Sequence, residues 1–259
     1  MTGGGWRTVA GQECRDLWVS GRGPLLVFGF SILLGVVTYV TATNLVLNFL
    51  EQREAVNVVL QAAVAVGVLV ALVVSADGIS GERERGTLEG LLLTPVSRRA
   101  ILGGKFFAAL SVWFAAFIVT IPYVLVLGRG VFIARPALAL GLLVGTLLAV
   151  GLVAVGLLVS SLSTSNKLSL AVSLLGLLAL YAPTQLPRLP AGWAGQLMLR
   201  VNPVGSAMQY LTAVLVNGHD WTRDLSYLVS PLLTVVLAGG VLVFAGPRIV
   251  RLTGGVSGE

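Results

Sequence analysis

Apolar residues in this chain gather into long, nearly unbroken runs, and most polar residues are confined to the connectors between them. A helix needs roughly 20 apolar residues to cross the hydrocarbon core of a bilayer. Six runs reach or approach that length, at residues 25–46, 55–76, 106–127, 138–160, 168–184 and 226–245, the fifth being the shortest. The pattern predicts an all-α polytopic membrane protein, a single domain over residues 1–259 with six transmembrane helices. Two connectors are long: residues 77–105 between the second and third spans, and residues 185–225 between the fifth and sixth.

Helical periodicity adds two elements outside the spans. Trp6, Ala10, Cys14, Leu17 and Trp18 recur at helical steps, with Arg7, Gln12, Arg15 and Asp16 elsewhere around the wheel. This predicts an N-terminal amphipathic helix in the membrane interface, its tryptophans at lipid and its polar face open to a partner. In the outer connector, Asn202 is placed to cap a helix with Pro203 at its first position. Val204, Ala207, Met208, Leu211 and Leu215 then follow on one face until Asn217 and Gly218. That helix is too short to span, so a re-entrant or interfacial outer helix is expected, with Trp193 and Trp221 at headgroup level. Within the spans, Ala63, Gly67 and Ala71 form one row of small residues and Gly141, Gly145 and Ala149 another. Such rows are packing seams, inside a subunit or between subunits.

Composition agrees with membrane burial: 11% of residues are charged, against roughly 25% in soluble domains, and the mean hydropathy is +0.93. The net charge of +6 does not indicate nucleic acid, because the bases are scattered through short connectors without a clustered surface. Their distribution instead sets orientation. With both termini inside, eleven of the seventeen bases face the cytoplasm, five of them in residues 77–105. The positive-inside rule therefore places the N- and C-termini and that connector in the cytoplasm, in a cell inner or plasma membrane. Glu13 and Asp16 precede a first run longer than a signal-peptide core, so the first span is read as uncleaved despite the small residues at Thr41–Thr43. Cys14 is the only cysteine, which excludes an intrachain disulfide or a cysteine zinc cluster, and it reads as a small apolar residue.

The spans lack an ionisable residue near their middles, where coupling protons or ions would bind. That argues against a secondary transporter and against a membrane hydrolase, so no catalytic residue is assigned. Gly104-Lys105 is followed by Phe106 and lacks the earlier glycine of a P-loop, so the chain is not an ATPase and any hydrolysis belongs to another subunit. His219 and Asp220 offer too few ligands for a metal and read as a solvated loop. Thr38, Thr41, Asn44, Asn57 and Gln61 are polar exceptions towards the outer halves of the first two spans. They suit interhelical hydrogen bonding or a path for substrate, with Asn44, Asn57 and Gln61 as the candidate path residues.

The connector at residues 77–105 is the most charged stretch, with Asp77, Glu82, Glu84 and Glu89 beside Arg83, Arg85, Arg98, Arg99 and Lys105. Glu82 to Arg85, then Gly86, Thr87 and Glu89, lead into Leu91, Leu92 and Leu93, a pattern that predicts one helix stopped by Pro95. Ser97 is placed to cap the next helix, with Arg98 and Arg99 in its first turn, where cations oppose the helix dipole. Orientation explains the bases but not the acids, which contribute little to it. The segment therefore reads as a docking element.

The stretch "GERERGTLEGLLLTPVSRRAILGGK" resembles the cytoplasmic signature between the second and third spans of type-2 ABC exporter permeases, the ABC-2 superfamily with its NatB- and NosY-like branches. The outer "NPVGSAMQYL" is similar to the Asn-Pro stretch of many such permeases. The resemblance implies a dimer of permeases with two cytosolic ATPase subunits, ATP and Mg being held by the ATPases and no cofactor by this chain. It implies that Glu82, Arg83, Glu84, Arg85, Gly86, Thr87 and Glu89 form the coupling helix, and that Pro95, Ser97, Arg98 and Arg99 fix the turn into the third span. It also places the first, second and fifth spans around the route at the dimer axis. The expected function is an ATP-driven export permease for an amphiphilic substrate, the ATPase being separate because none is fused here. Two alternatives stand beside it: a membrane subunit doing mechanical or assembly work on a partner protein, and an ATP-independent channel or carrier.

Overall fold

The computed structural model describes residues 5–43, 52–88, 90, 93, 96–129, 132–185, 195 and 200–249. The chain runs through α1 (Gly5–Val19), α2 (Arg22–Thr43), α3 (Gln52–Asp77), α4 (Ser80–Glu84), α5 (Arg98–Leu127), α6 (Ala134–Leu162), α7 (Asn166–Gln185), α8 (Pro203–Leu215), α9 (Val229–Phe244) and α10 (Gly246–Ile249). A 3-10 turn, Leu225–Leu228, leads into α9. The described residues contain no strand. Six helices are long and apolar enough to cross a membrane, as the apolar runs predict.

The third span begins earlier than its apolar run. Residues 98–105, expected as connector, form the first two turns of α5. Ser97 caps it as expected, its hydroxyl accepting from the Ala100 amide at 3.2 Å.

α3 and α6 are the most buried spans and form the centre. α3 packs on α5, α6 and α7, while α9 packs on α6. The two rows of small residues meet inside this one chain. A Cβ at Gly145 would lie 2.3 Å from Trp113 Cη2, and one at Gly67 would lie 2.9 Å from Trp113 Cζ3. The indole fills the gap that both glycines leave, and its Nε1–H donates to Thr146 Oγ1 at 3.1 Å. Gly141 makes room for Leu60 in the same way, its Cβ position being 2.5 Å from Leu60 Cδ1.

α1 packs on α5. Its stripe faces the N-terminal half of α5: Ala10, Cys14, Leu17 and Trp18 are half-buried, and Trp18 Nε1–H donates to Ser111 Oγ at 3.0 Å. Trp18 thus has a bundle partner for its indole N–H. A Cβ at Gly104 would come within 2.6 Å of Val9 Cγ1 and 3.1 Å of the Ala10 amide, so that glycine lets the α1 backbone approach closely. The side chain of Trp6 lies outside the described residues.

α8 is enclosed rather than laid on a surface. The predicted face of Val204, Ala207, Met208, Leu211 and Leu215 is buried, and so is Tyr210. Asn202 Oδ1 accepts from the Val204 and Gly205 amides at 2.9 and 3.1 Å, with Pro203 at the first helical position. Its Nδ2 donates to Leu180 O at 2.6 Å, tying the cap to α7. Trp221 is exposed, whereas Trp193 lies outside the described residues.

Candidate functional site

The charged connector forms a knot rather than one continuous helix. α4 ends at Glu84 because Gly86 takes the left-handed conformation, with φ of 70°, ahead of any stop at Pro95. Glu89, Leu91, Leu92 and Pro95 lie outside the described residues. α4 has no cap of its own. Instead the Ser160 hydroxyl at the end of α6 accepts from the Ile79 and Ser80 amides at 3.0 and 2.9 Å. The N-terminus of α4 is therefore set by α6.

Three of the predicted docking residues bond to neighbouring helices, Glu82 and Arg83 half-buried and Glu84 exposed. Glu82 pairs with Lys105 of α5. Arg83 donates to the carbonyl of Ser163, and to that of Ser161 at 3.3 Å, at the C-terminal end of α6 where unpaired carbonyls collect. Glu84 Oε2 accepts from the Asn166 amide at the start of α7, at 3.1 Å. These partners account for Glu82 and Glu84, two of the acids that orientation leaves unexplained. Arg85, Gly86 and Thr87 are exposed, as are Ser97, Arg98 and Arg99 in the first turn of α5. Arg98 Nη1 donates weakly to Pro247 O, at 3.4 Å.

Asp77, at the end of α3, holds the other side of the knot. It accepts from Asn166 Nδ2 at 2.8 Å and lies 3.7 Å from Arg85 and 4.0 Å from Arg22. Gly81 makes this possible, since a Cβ there would fall 2.1 Å from Asp77 Oδ1. Ser169 Oγ of α7 donates to Ala76 O at 2.7 Å, closing the same corner. α4 is thus bonded, directly or through one shared partner, to α1, α3, α5, α6 and α7. A cavity of about 310 Å³ opens beside it, lined by Glu13, Asp77, Glu82, Arg22, Arg85 and Lys105 among others.

Lys105 is the residue that the sequence reading passed over. It is 5% exposed and lies 2.9 Å from Glu13 of α1 while also pairing with Glu82. A buried ammonium is stable only when paired and hydrogen-bonded, and these two carboxylates do both. One signal pointed here: Glu13 falls three residues after Ala10 and four before Leu17, an acid within the apolar stripe of α1.

At the opposite end of the molecule the polar residues of α3 are occupied. Gln61 Nε2 donates to Thr212 Oγ1 at 2.9 Å and to Met208 O at 3.3 Å, and Asn57 Nδ2 reaches the same threonine hydroxyl at 3.3 Å. They bond α3 to α8. Gln61 also borders a cavity of about 450 Å³ with Pro183, Met208, Gln209, Thr212 and Tyr227. Asn44 lies outside the described residues, Thr41 Oγ1 donates within its own helix to Val37 O, and Thr38 Oγ1 is buried without a partner. His219 Nδ1 pairs with Asp224 at 2.7 Å, not with its neighbour Asp220. Burial, with the Asp224 carboxylate adding to it, holds the Tyr210 hydroxyl above its ordinary pKa, and that hydroxyl donates to Trp221 O at 2.9 Å. Among the described residues, no group of His, Cys, Asp or Glu side chains is arranged to hold a metal ion.

A comparison with curated proteins gave no match. The family model described as "ABC-2 family transporter protein" matches residues 8–248. Because that match runs from within α1, across all six candidate spans and into α10, the chain belongs to the ABC-2 family of transporter membrane proteins and is an ABC permease subunit.

Proposed function

We propose that this permease subunit works in an ATP-driven exporter, in which two separate cytosolic ATPase subunits hold ATP and Mg and a second permease copy completes the pathway. The termini and the 77–105 segment face the cytoplasm of a cell inner or plasma membrane in this reading. Family membership supports the class of partner. The observation that carries the coupling mechanism is the knot around α4. A force on an exposed loop moves spans only if a stiff lever joins them, and α4 is bonded to the cytoplasmic ends of α3, α5, α6 and α7. Arg85, Gly86 and Thr87 project from the end of that lever and are the residues that meet the ATPase, with Arg98 and Arg99 beside them. The substrate is an amphiphile, a reading supported by the exposed apolar faces that α2 and α7 present, including Phe28, Ile32, Val36, Leu175 and Leu178.

The test is affinity purification of the tagged chain from its own membranes. Arg85→Glu is expected to lower ATPase recovery severalfold while membrane insertion and yield stay at wild-type levels, because Arg85 is exposed and only loosely paired with Asp77. Equal ATPase recovery with both chains would contradict the reading.

A further inference from the structure

We propose that Lys105 is a pin that makes α1 and α4 one mechanical unit, so that the position of α4 decides whether α1 stays seated on α5. This concerns the chain by itself and stands whatever supplies the energy. α1 and α4 are separated in sequence by two whole spans, and one buried ammonium on α5 joins them: Glu13 comes from α1 and Glu82 from α4. Both carboxylates are largely buried, at 24% and 16% side-chain exposure, so the pairs are shielded from the screening that weakens surface salt bridges. Glu82 Oε2 is buried with no hydrogen-bond partner, so the hold of α4 on the pin rests on the other oxygen alone. Gly104, directly before Lys105, lets the α1 backbone at Val9 and Ala10 approach α5 closely.

When Glu82 departs with a displaced α4, the buried ammonium keeps only one carboxylate. A buried charge that loses a partner is strongly destabilised, and the relief open to it is fuller hydration than the neighbouring cavity gives an ammonium that is 5% exposed, gained when α1 lifts. α1 is therefore an arm released by α4. Lys105 is a positioning residue here, acting through the two glutamates.

Cys14 makes this measurable, because it is the only thiol in the chain and sits half-buried beside Glu13 on the seated face of α1. The experiment follows the rate at which a membrane-impermeant maleimide alkylates Cys14 in the detergent-purified full chain. Wild type is expected to react more slowly than the same chain unfolded in detergent. Lys105→Met and Glu13→Gln are expected to raise the rate by about tenfold or more, as opening of a local element does. The decisive variant is Glu82→Gln, which touches neither α1 nor Cys14 and is expected to raise the rate comparably. Glu84→Gln, on the same short helix but bonded to α7, is expected to leave it unchanged. A wild-type rate in Glu82→Gln, or an equal rise in Glu84→Gln, would overturn the pin, as would a wild-type chain that reacts like the unfolded one. Elution as a single folded peak guards each comparison, and Glu82→Asp, which keeps the charge, is expected to label more slowly than Glu82→Gln.

Discussion

Trp113 shows how much of this bundle rests on absent side chains. Its ring occupies space that Gly67 and Gly145 leave open on α3 and α6, and it is 1% exposed. A methyl group at residue 145 has nowhere to go, because the Trp113 ring is rigid and its Nε1–H is held by Thr146 Oγ1. Gly145→Ala is expected to cost about 1–3 kcal/mol through overpacking, read as a lower midpoint of thermal unfolding in detergent. A wild-type midpoint would show that the ring moves aside freely. Gly81 plays the same part in the charged knot, where a Cβ would displace the Asp77 carboxylate. Gly81→Ala is expected to lower both thermal stability and recovery of the ATPase partner, whereas Gly145→Ala lowers the first and spares the second per folded molecule.

The individual helices were legible in the sequence to different degrees, for identifiable physical reasons. Long apolar runs announce spans, because length and hydropathy are all that a bilayer demands. The start of α5 was hidden for the converse reason: Arg98, Arg99 and Lys105 make its first two turns polar, so hydropathy places them in a connector. The cap of α8 was readable because Asn202-Pro203 is a local signal, and the structure uses it directly. Asn202→Ala is expected to cost about 1 kcal/mol from the cap, with a further loss from the bond to Leu180 O. Hydrogen exchange should accordingly speed up in α8 and the end of α7 and stay at wild-type rates in α1. Faster exchange in α1 would mean that the two ends of the molecule are coupled more tightly than this packing implies. For α1 the predicted stripe is the face that packs on α5. A half-apolar helix suits lipid or protein equally, and only Glu13, an acid on the apolar face, distinguished them.

At the scale of the molecule, the family and the six spans follow from the chain's overall pattern and its match. The knot does not, because its members come from residues 13, 77, 82 to 85, 105, 160 to 166 and 169, brought together only by packing. Glu82 and Glu84, two of the acids read as docking groups, bond α4 to the spans, and this strengthens rather than weakens its fitness as a lever. A coupling element has to grip the spans as firmly as it meets its driver. The central claim, that a separate cytosolic ATPase drives this permease through the exposed end of α4, has one direct measurement. ATP hydrolysis is assayed in the complex purified through the tagged chain, for wild type and for Arg85→Glu at equal amounts of folded permease. Wild type should carry an ATPase subunit and hydrolyse ATP, with both reduced severalfold in Arg85→Glu. A wild-type permease that brings down no ATPase and no hydrolysis, or one whose hydrolysis is indifferent to Arg85→Glu, would contradict the account.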